Sequence, residues 1–220
     1  MTEFNEVMVD LLRHGQPEGG NRFRGSLDDP LSENGWQQMQ ASVGDYRQWD
    51  RVISSPLRRC QDFAATVAEQ LEVPLCLHDD LRELHFGQWE GLTAAEIIAR
   101  FPGQLEAFWQ DPVSHCAPGG EGLREFRDRT WNAWQTLLEQ HRGEHLLVIC
   151  HGGVIRTILG RLLGMPLSAM LRMEVPYAGL SRVRISRFHD QEGNPQVGQN
   201  LVWLNGSLAI ADQLVEGNPR

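Results

Sequence analysis

The sequence predicts an α/β domain built on a mostly parallel sheet, and three observations carry that expectation. Short apolar, β-branched runs alternate with stretches of helical period. The runs at residues 7–12 and 146–150 each break at a histidine followed by glycine. The chain has 220 residues, 41% of them hydrophobic, enough for one sizeable core and a single domain over residues 1–220.

Val7-Met8-Val9-Asp10-Leu11-Leu12 reads as a buried strand running into Arg13-His14-Gly15. A Gly-, Pro- and Asp-rich stretch follows to Pro30, and Ser32 can then cap a helix marked by Trp36, Met39, Val43 and Tyr46. Val52-Ile53-Ser54-Ser55 is a second strand, and Pro56 stands where a helix through Cys60, Phe63, Ala64, Val67 and Leu71 can start. A short strand at Leu75-Cys76-Leu77 leads to a loop carrying Arg82, Glu83 and His85. Thr93 can cap a helix into Ile97 and Ile98, while residues 111–122, rich in Pro and Gly, predict a surface excursion. Phe126, Thr130, Trp131, Trp134, Leu137 and Leu138 then mark a long amphipathic helix. The run at 146–150 passes through His151-Gly152-Gly153 into a helix through Ile155, Ile158, Leu159 and Leu162. Strands around 180–188 and 201–204 complete the domain. No internal repeat, low-complexity tract or linker interrupts this order.

Charge narrows the function class. Twenty Lys and Arg against 29 Asp and Glu leave a net charge of −9, which argues against a surface for nucleic-acid phosphates or anionic lipid. No apolar run approaches the length of a membrane span, and the acidic start through Glu6 lacks the basic, then apolar, pattern of a secretory signal. Cys60, Cys76, Cys116 and Cys150 form no close pair and are expected as reduced thiols. A cytoplasmic protein with a small-molecule partner is expected, with neither nucleic acid nor membrane. The apolar residues at 170–177 suggest a homodimer contact.

In parallel α/β sheets ligands bind at the carboxyl ends of the strands, where His14 and His151 both fall. One histidine at a strand end is ordinarily structural. Two describe a site, each followed by a glycine that lets backbone approach a ligand, the first preceded by Arg13. A third strand end, Ser54-Ser55-Pro56-Leu57-Arg58-Arg59, can bring either Arg58 or Arg59 to the same edge and leave the other in solvent. Arginine forks and histidines gathered on an acidic protein suit a phosphoryl group. Phosphoryl transfer also needs a nucleophile and a proton source for a poor leaving group. A histidine kept neutral by neighbouring arginines can attack phosphorus. Glu83 and Glu90, either side of His85-Phe86-Gly87-Gln88-Trp89, are acid candidates between which position does not choose.

These residues lie in blocks that resemble the histidine phosphatase superfamily, the group of cofactor-dependent phosphoglycerate mutases and many small phosphomonoesterases. The blocks are Leu11-Leu12-Arg13-His14-Gly15, Asn21-Arg22-Phe23-Arg24-Gly25, residues 54–59, residues 81–91, Pro118-Gly119-Gly120-Glu121, and residues 150–156. Within the superfamily they are most similar to α-ribazole phosphatases, which remove a 5′-phosphate late in assembly of the cobalamin lower ligand. The resemblance implies a three-layer α/β/α, phosphoglycerate mutase-like fold and a reaction with no metal and no cofactor. By position His14 is similar to the nucleophile that becomes phosphohistidine, Glu83 to the general acid, and Arg13, Arg59 and a protonated His151 to the phosphate clamp, with Gly152 beside it. Arg58 is then left to the surface and Glu90 to a structural role.

The chain departs from that pattern after the first Arg-His-Gly. Many relatives carry glutamate, then threonine or serine, and an asparagine a few residues on; here stand Gln16, Pro17 and Gly19-Gly20, so Asn21 or Arg24 is expected to supply a phosphate contact. Phe63, where threonine is common, is expected to affect packing. The mutases' basic insertion has no counterpart between Gly91 and Pro118, which favours hydrolysis. The implied function is α-ribazole 5′-phosphate phosphatase. The alternatives are a phosphatase of a phosphosugar or phosphoglycerate, a phosphoglycerate mutase, and a non-catalytic phosphate-binding module. Eight histidines invite a metal site, but His141 and His145 lack a glutamate beside the first and are expected as helix-end and surface residues. Trp131 and Trp134 are expected in the core or at a helix interface, Trp89 in the core or beside the leaving group, and Arg24 and Arg82 at substrate or in water.

Overall fold

The computed structural model describes residues 6–190, 192–206 and 208; the acidic start through residue 5 lies outside them. Six strands, β1 (Val7–Arg13), β2 (Arg51–Ser54), β3 (Leu75–Leu77), β4 (His145–Cys150), β5 (Leu180–His189) and β6 (Pro195–Gly206), form one sheet in the order β3-β2-β4-β1-β5-β6. The first four run parallel, β5 pairs antiparallel with β1, and β6 antiparallel with β5. The sheet is therefore mixed, with a parallel centre and an antiparallel edge.

Strand alternation sorts the core into two faces. Leu146, Val148 and Cys150 of β4 meet α5 (Leu123–Gln140) and α6 (Gly152–Leu162), through residues such as Phe126, Trp134 and Ile155. Leu147 and Ile149 face the opposite way, onto Met39 of α1 (Glu33–Val43) and Phe63 and Val67 of α2 (Arg58–Leu71). Helices thus cover both faces, which is the expected three-layer arrangement. Phe63 is a packing residue, its ring 5.5 Å from that of Trp36.

Local chemistry sets the helix ends. Ser32 caps α1, its hydroxyl accepting from the Gly35 N–H, and the helix stops at Val43, so Tyr46 lies beyond it against Trp49. α2 starts at Arg58 rather than at Pro56. Leu57 gives it no side-chain cap, and Asp28, from the loop between β1 and α1, accepts the Arg58 N–H at 2.7 Å instead. Thr93 and Glu96 close a reciprocal capping box on α3 (Ala94–Arg100). No pattern announced α4 (Gln104–Gln110): seven residues that bury only Leu105 and Phe108 are too short to show a period. Trp134 is core, and Trp131 is half-buried where α5 meets α6, under Arg161, whose guanidinium lies 4.4 Å from its ring centroid.

Burial bears on two expectations. Met170, Met173 and Val175 fill this chain's own core around α6, so these three are not among the apolar residues that a homodimer contact at 170–177 would use. His141 does end α5, but His145 opens β4 and points inward, its Nε2–H donating to Asp10 at 2.9 Å. Asp10 is fully buried and also accepts from Arg182 through both oxygens, at 2.7 and 2.8 Å, and from Trp49 Nε1 at 2.8 Å. Burial alone would raise its pKa, but the bonds from Arg182 and His145 overcome this and hold it below the ordinary value. Asp10→Asn is expected to cost about 3–5 kcal/mol at pH 7, since it leaves Arg182 buried without its counter-charge. Because the folded pKa is depressed, this stabilisation is complete above the unfolded value of about 3.9 and fades as pH falls below it. Urea unfolding at pH 7 and in stepwise acid should therefore show the gap between wild type and variant closing below about pH 4.

No helix among the described residues is long and apolar enough to cross a membrane.

Candidate active site

The chain leaves β1 for β2 on one side of the sheet and leaves β4 for β5 on the other, so the ends of β1 and β4 flank a topological switch point. Arg13 pairs with Cys150, and the His14 N–H donates to the Cys150 carbonyl at 3.0 Å. Parallel register therefore delivers His14 and His151 side by side, with ring centroids 5.1 Å apart. Close approach of the next loop to α1 fixes the first histidine: a side chain on Gly15 would overlap the backbone of Gly35, and one on Gly35 the backbone of Gln16.

His14 Nδ1 lies 2.7 Å from the carbonyl of Gly15. A carbonyl can only accept, so Nδ1 carries the hydrogen and Nε2 holds the lone pair. Burial, then Arg59 and Arg13, keep the pKa of His14 well below 6.5, and the Gly15 bond offsets this only in part. Burial, Arg59, His14 and Arg13 do the same to His151. In the ligand-free site both imidazoles are thus held toward the neutral form, whereas the protonated His151 expected of the clamp belongs to the complex with a phosphoryl group. His151 is wholly buried, with Nε2 2.8 Å from the Ser55 hydroxyl. Cys60 lies behind it, Sγ 3.7 Å from Nε2, and burial pushes that thiol up to about 12, so it is no thiolate at neutral pH.

Two arginines face this pair. Arg13 donates from Nη1 to the Val175 carbonyl at 2.6 Å and lies over the Tyr177 ring at 4.2 Å. Arg59, fully buried in the first turn of α2, donates to the carbonyls of Leu27 and Gly25 at 2.7 and 2.9 Å. In both, Nε is buried and has no hydrogen-bond partner among the described residues. An unsatisfied buried donor costs about 1–3 kcal/mol, and an oxyanion between the two would relieve it. Gly152 opens α6 beside this clamp; a side-chain carbon there would come 3.3 Å from Arg13 Nε.

Glu83 approaches from the long loop before α3. Its two oxygens accept the N–H groups of Gly153 and Leu84, at 3.0 and 2.9 Å. Arg129 of α5 holds that loop, donating to the carbonyls of Asp80, Arg82 and Glu83 and pairing through two nitrogens with Glu121. Glu90 is structural: it accepts from the backbone of Ser26, Leu27 and Phe86 and so ties the Arg59-bound loop to the Glu83 loop. Any side chain on Gly153 would overlap the Glu83 carboxylate. Gly153→Ala is accordingly expected to displace that carboxylate and lower kcat/KM for alkyl phosphates by about 10–100-fold with the fold intact. Phosphate-release kinetics alongside circular dichroism would check this.

Other expected residues fall less centrally. Arg24 is buried, but its guanidinium is spent on Asp29 and on the carbonyls of Gly20 and Glu18, so it braces its own loop. Asn21 is exposed on that loop. Arg58 and Arg82 are half-exposed and paired with Asp62 and Asp79. Trp89 is wholly buried core, and Trp109 of α4, not foreseen, is the tryptophan of the site. It lines a recess of ≈ 280 Å³ with Glu83, Gly153, Arg156, Phe86, Phe108 and others. A larger recess of ≈ 440 Å³ lies away from these groups, between α5, α6 and Leu167. The smaller one is the one that includes Glu83.

Sequence comparison bears on this geometry. The histidine phosphatase superfamily (branch 1) matches residues 9–192. The chain belongs to that superfamily. Among its histidine phosphatase relatives it is similar to the glucosyl-3-phosphoglycerate phosphatase of Mycolicibacterium vanbaalenii, 34% identical over 93% of this chain and 97% of the other. The metal-independent phosphoserine phosphatase of Arabidopsis thaliana is 32% identical over 73% of this chain and 70% of its own length. The chain spans about half the length, 48%, of a bifunctional protein of Mycobacterium tuberculosis with which it is 35% identical over 78% of its own residues. The solved α-ribazole phosphatase of Shigella flexneri superposes with a TM-score of 0.75 at 26% identity, covering 90% of this chain and 96% of that one.

Sequence reasoning had no role for the Ser55 hydroxyl, Tyr177, Arg129 with Glu121, or Arg156. Ser55, Glu121 and Arg156 stand inside the blocks that carry the resemblance. Nothing in spacing marks Arg129, which acts through backbone carbonyls 46 to 49 residues away.

Proposed function

We propose that this chain is a metal-independent phosphomonoesterase working through phosphorylated His14. The observation that carries the proposal is a buried neutral imidazole with its Nε2 lone pair open, set beside the unpartnered Nε donors of Arg13 and Arg59. In the first step Nε2 bonds to phosphorus, and the ester P–O bond breaks with its electron pair on the leaving oxygen. Glu83, entering as the acid, protonates that oxygen. In the second step Glu83 takes a proton from water, the water oxygen bonds to phosphorus, and the N–P bond breaks with its pair returning to Nε2. Inorganic phosphate and the alcohol are the products.

The arginines offset charge on the transferring group. A bound dianion counters the arginine field that, with burial, keeps His151 neutral. Binding therefore draws a proton onto His151, and the cationic clamp is a property of the complex.

The substrate class is a small organic phosphomonoester whose alcohol half enters the recess beside Glu83. The sequence similarity over 93% of this chain to a glucosyl-3-phosphoglycerate phosphatase supports a phosphorylated hydroxy acid or its sugar conjugate. α-Ribazole 5′-phosphate is the second reading, favoured by the aromatic walls of Phe23, Phe86, Phe108 and Trp109. Phosphate release in EDTA from glucosyl-3-phosphoglycerate, O-phosphoserine, α-ribazole 5′-phosphate and p-nitrophenyl phosphate tests both. Release from at least one is expected, and its rank order chooses the alcohol. Binding of all four without release from any would replace the enzyme with a phosphate-binding module.

A further inference from the structure

The alcohol side of the recess holds one positive charge that the phosphoryl chemistry does not use. Arg156 of α6 lines the recess together with Glu83 and Gly153. Its Nε donates to the Met173 carbonyl at 2.7 Å, which fixes the plane of the guanidinium. A side-chain carbon on Gly152 would lie 3.2 Å from Arg156 Nη1 and 3.3 Å from Arg13 Nε, so the two guanidiniums flank Gly152. Neighbouring cations have their own counter-charges: Arg24 has Asp29, and Arg129 has Glu121. Arg156 has no carboxylate partner among the described residues. Glu83 makes no ion pair with it among the described residues, and its two oxygens accept the backbone N–H groups of Leu84 and Gly153.

Once a substrate binds, the imbalance persists. A phosphoryl group of about two negative charges is matched by Arg13 and Arg59, and the proton that binding draws onto His151 adds a further positive charge. Arg156 then remains an uncompensated fork donor one step along from the phosphate clamp. Forked donors of this kind are matched by carboxylates. Around it Phe86, Phe108, Phe126 and Met170 present apolar surface suited to a short carbon chain.

We propose that Arg156 holds a carboxylate on the alcohol half, so that the preferred substrates are phosphomonoesters of hydroxy acids. The proposal rests on the phosphomonoesterase reading above and narrows it. Arg156 is a specificity residue in this scheme, with no part in bond making.

A matched pair of esters tests the idea. 3-Phosphoglycerate and glycerol 3-phosphate share the phosphate, the ester oxygen and the carbon chain, and differ by a carboxylate against a carbinol. Each is used to compete with hydrolysis of p-nitrophenyl phosphate in EDTA, which reports binding whether or not the competitor turns over. Wild type is expected to show an apparent Ki at least about tenfold lower for 3-phosphoglycerate. Arg156→Gln should bring the ratio of the two constants to within about threefold of one, with Arg156→Lys between, while Arg82→Gln, a surface control for general charge, should keep the wild-type ratio. A wild-type ratio of one or less overturns the proposal, as does a ratio unchanged in Arg156→Gln. Should Arg156→Gln fail to fold, the wild-type ratio and Arg156→Lys decide. A protein that cannot hydrolyse p-nitrophenyl phosphate fails the phosphatase reading instead, and calorimetric affinities for the same two esters then judge Arg156 by the same ratio.

Discussion

His14→Ala is expected to lower phosphomonoester turnover by about 10⁴-fold or more and to abolish the burst of p-nitrophenolate that equals the enzyme concentration in wild type. The choice of His14 over His151 as the attacking ring is structural. His151 is the more deeply buried, its Nε2 is engaged with Ser55, and Cys60 stands behind it. His14 has its Nδ1 hydrogen committed to Gly15 and its Nε2 electrons uncommitted. Its pKa, held well below 6.5 by burial and by Arg59 and Arg13, also means that no proton must leave before attack. Rapid-quench kinetics with intact-mass detection should find one phosphoryl group on wild type and none on His14→Ala. A phosphorylated His14→Ala protein, or an undiminished burst, would assign the nucleophile to another residue. His151→Ala should retain phosphorylation at a reduced rate, because it loses a clamp and keeps the attacking nitrogen.

The sheet and most of the site were legible in sequence because they depend on strand ends. A parallel strand that stops in polar residues must present them at the carboxyl edge, so Arg13, His14 and His151 could be placed before any contact was known. Arg59 follows from the first turn of a helix after such a strand, although its choice over Arg58 came from resemblance. What stayed hidden acts through backbone or through elements too short to show a period. Arg129 grips carbonyls of the Glu83 loop, and carbonyls carry no residue identity. α4 brings Phe108 and Trp109 to the recess in seven residues. The stretch at 170–177 looked like a free apolar face because sequence does not show what covers it. In the fold its methionines are core, its Val175 carbonyl takes Arg13, and its Tyr177 ring lies beneath that guanidinium. Sequence also does not show that the proton expected on His151 in the complex is disfavoured before it forms: burial, and arginines that bind an anion, repel that proton until the anion arrives.

Glu83→Gln separates the two halves of the reaction. The amide nearly matches the carboxylate in shape but can neither give nor take the proton. For alkyl phosphates kcat/KM is expected to fall by about 10²–10⁴-fold, since the departing alkoxide is left unprotonated. For p-nitrophenyl phosphate kcat/KM should fall far less, because it reports only the steps up to loss of a phenolate that leaves without a proton. The aryl ester's kcat should nevertheless drop, because water attack on phosphorylated His14 still lacks its base. The variant should therefore keep the p-nitrophenolate burst and follow it with a slow steady state, and phosphorylated enzyme should accumulate. Equal losses of kcat/KM on alkyl and aryl esters would mean that Glu83 shapes the pocket without moving a proton. A normal steady state after the burst would mean that another group activates water. Arg129 and Gly153 hold the Glu83 loop and carboxylate in place, so variants there should reproduce the alkyl-specific loss in weaker form. That gradation from chemistry to positioning is what a merely structural glutamate would not produce.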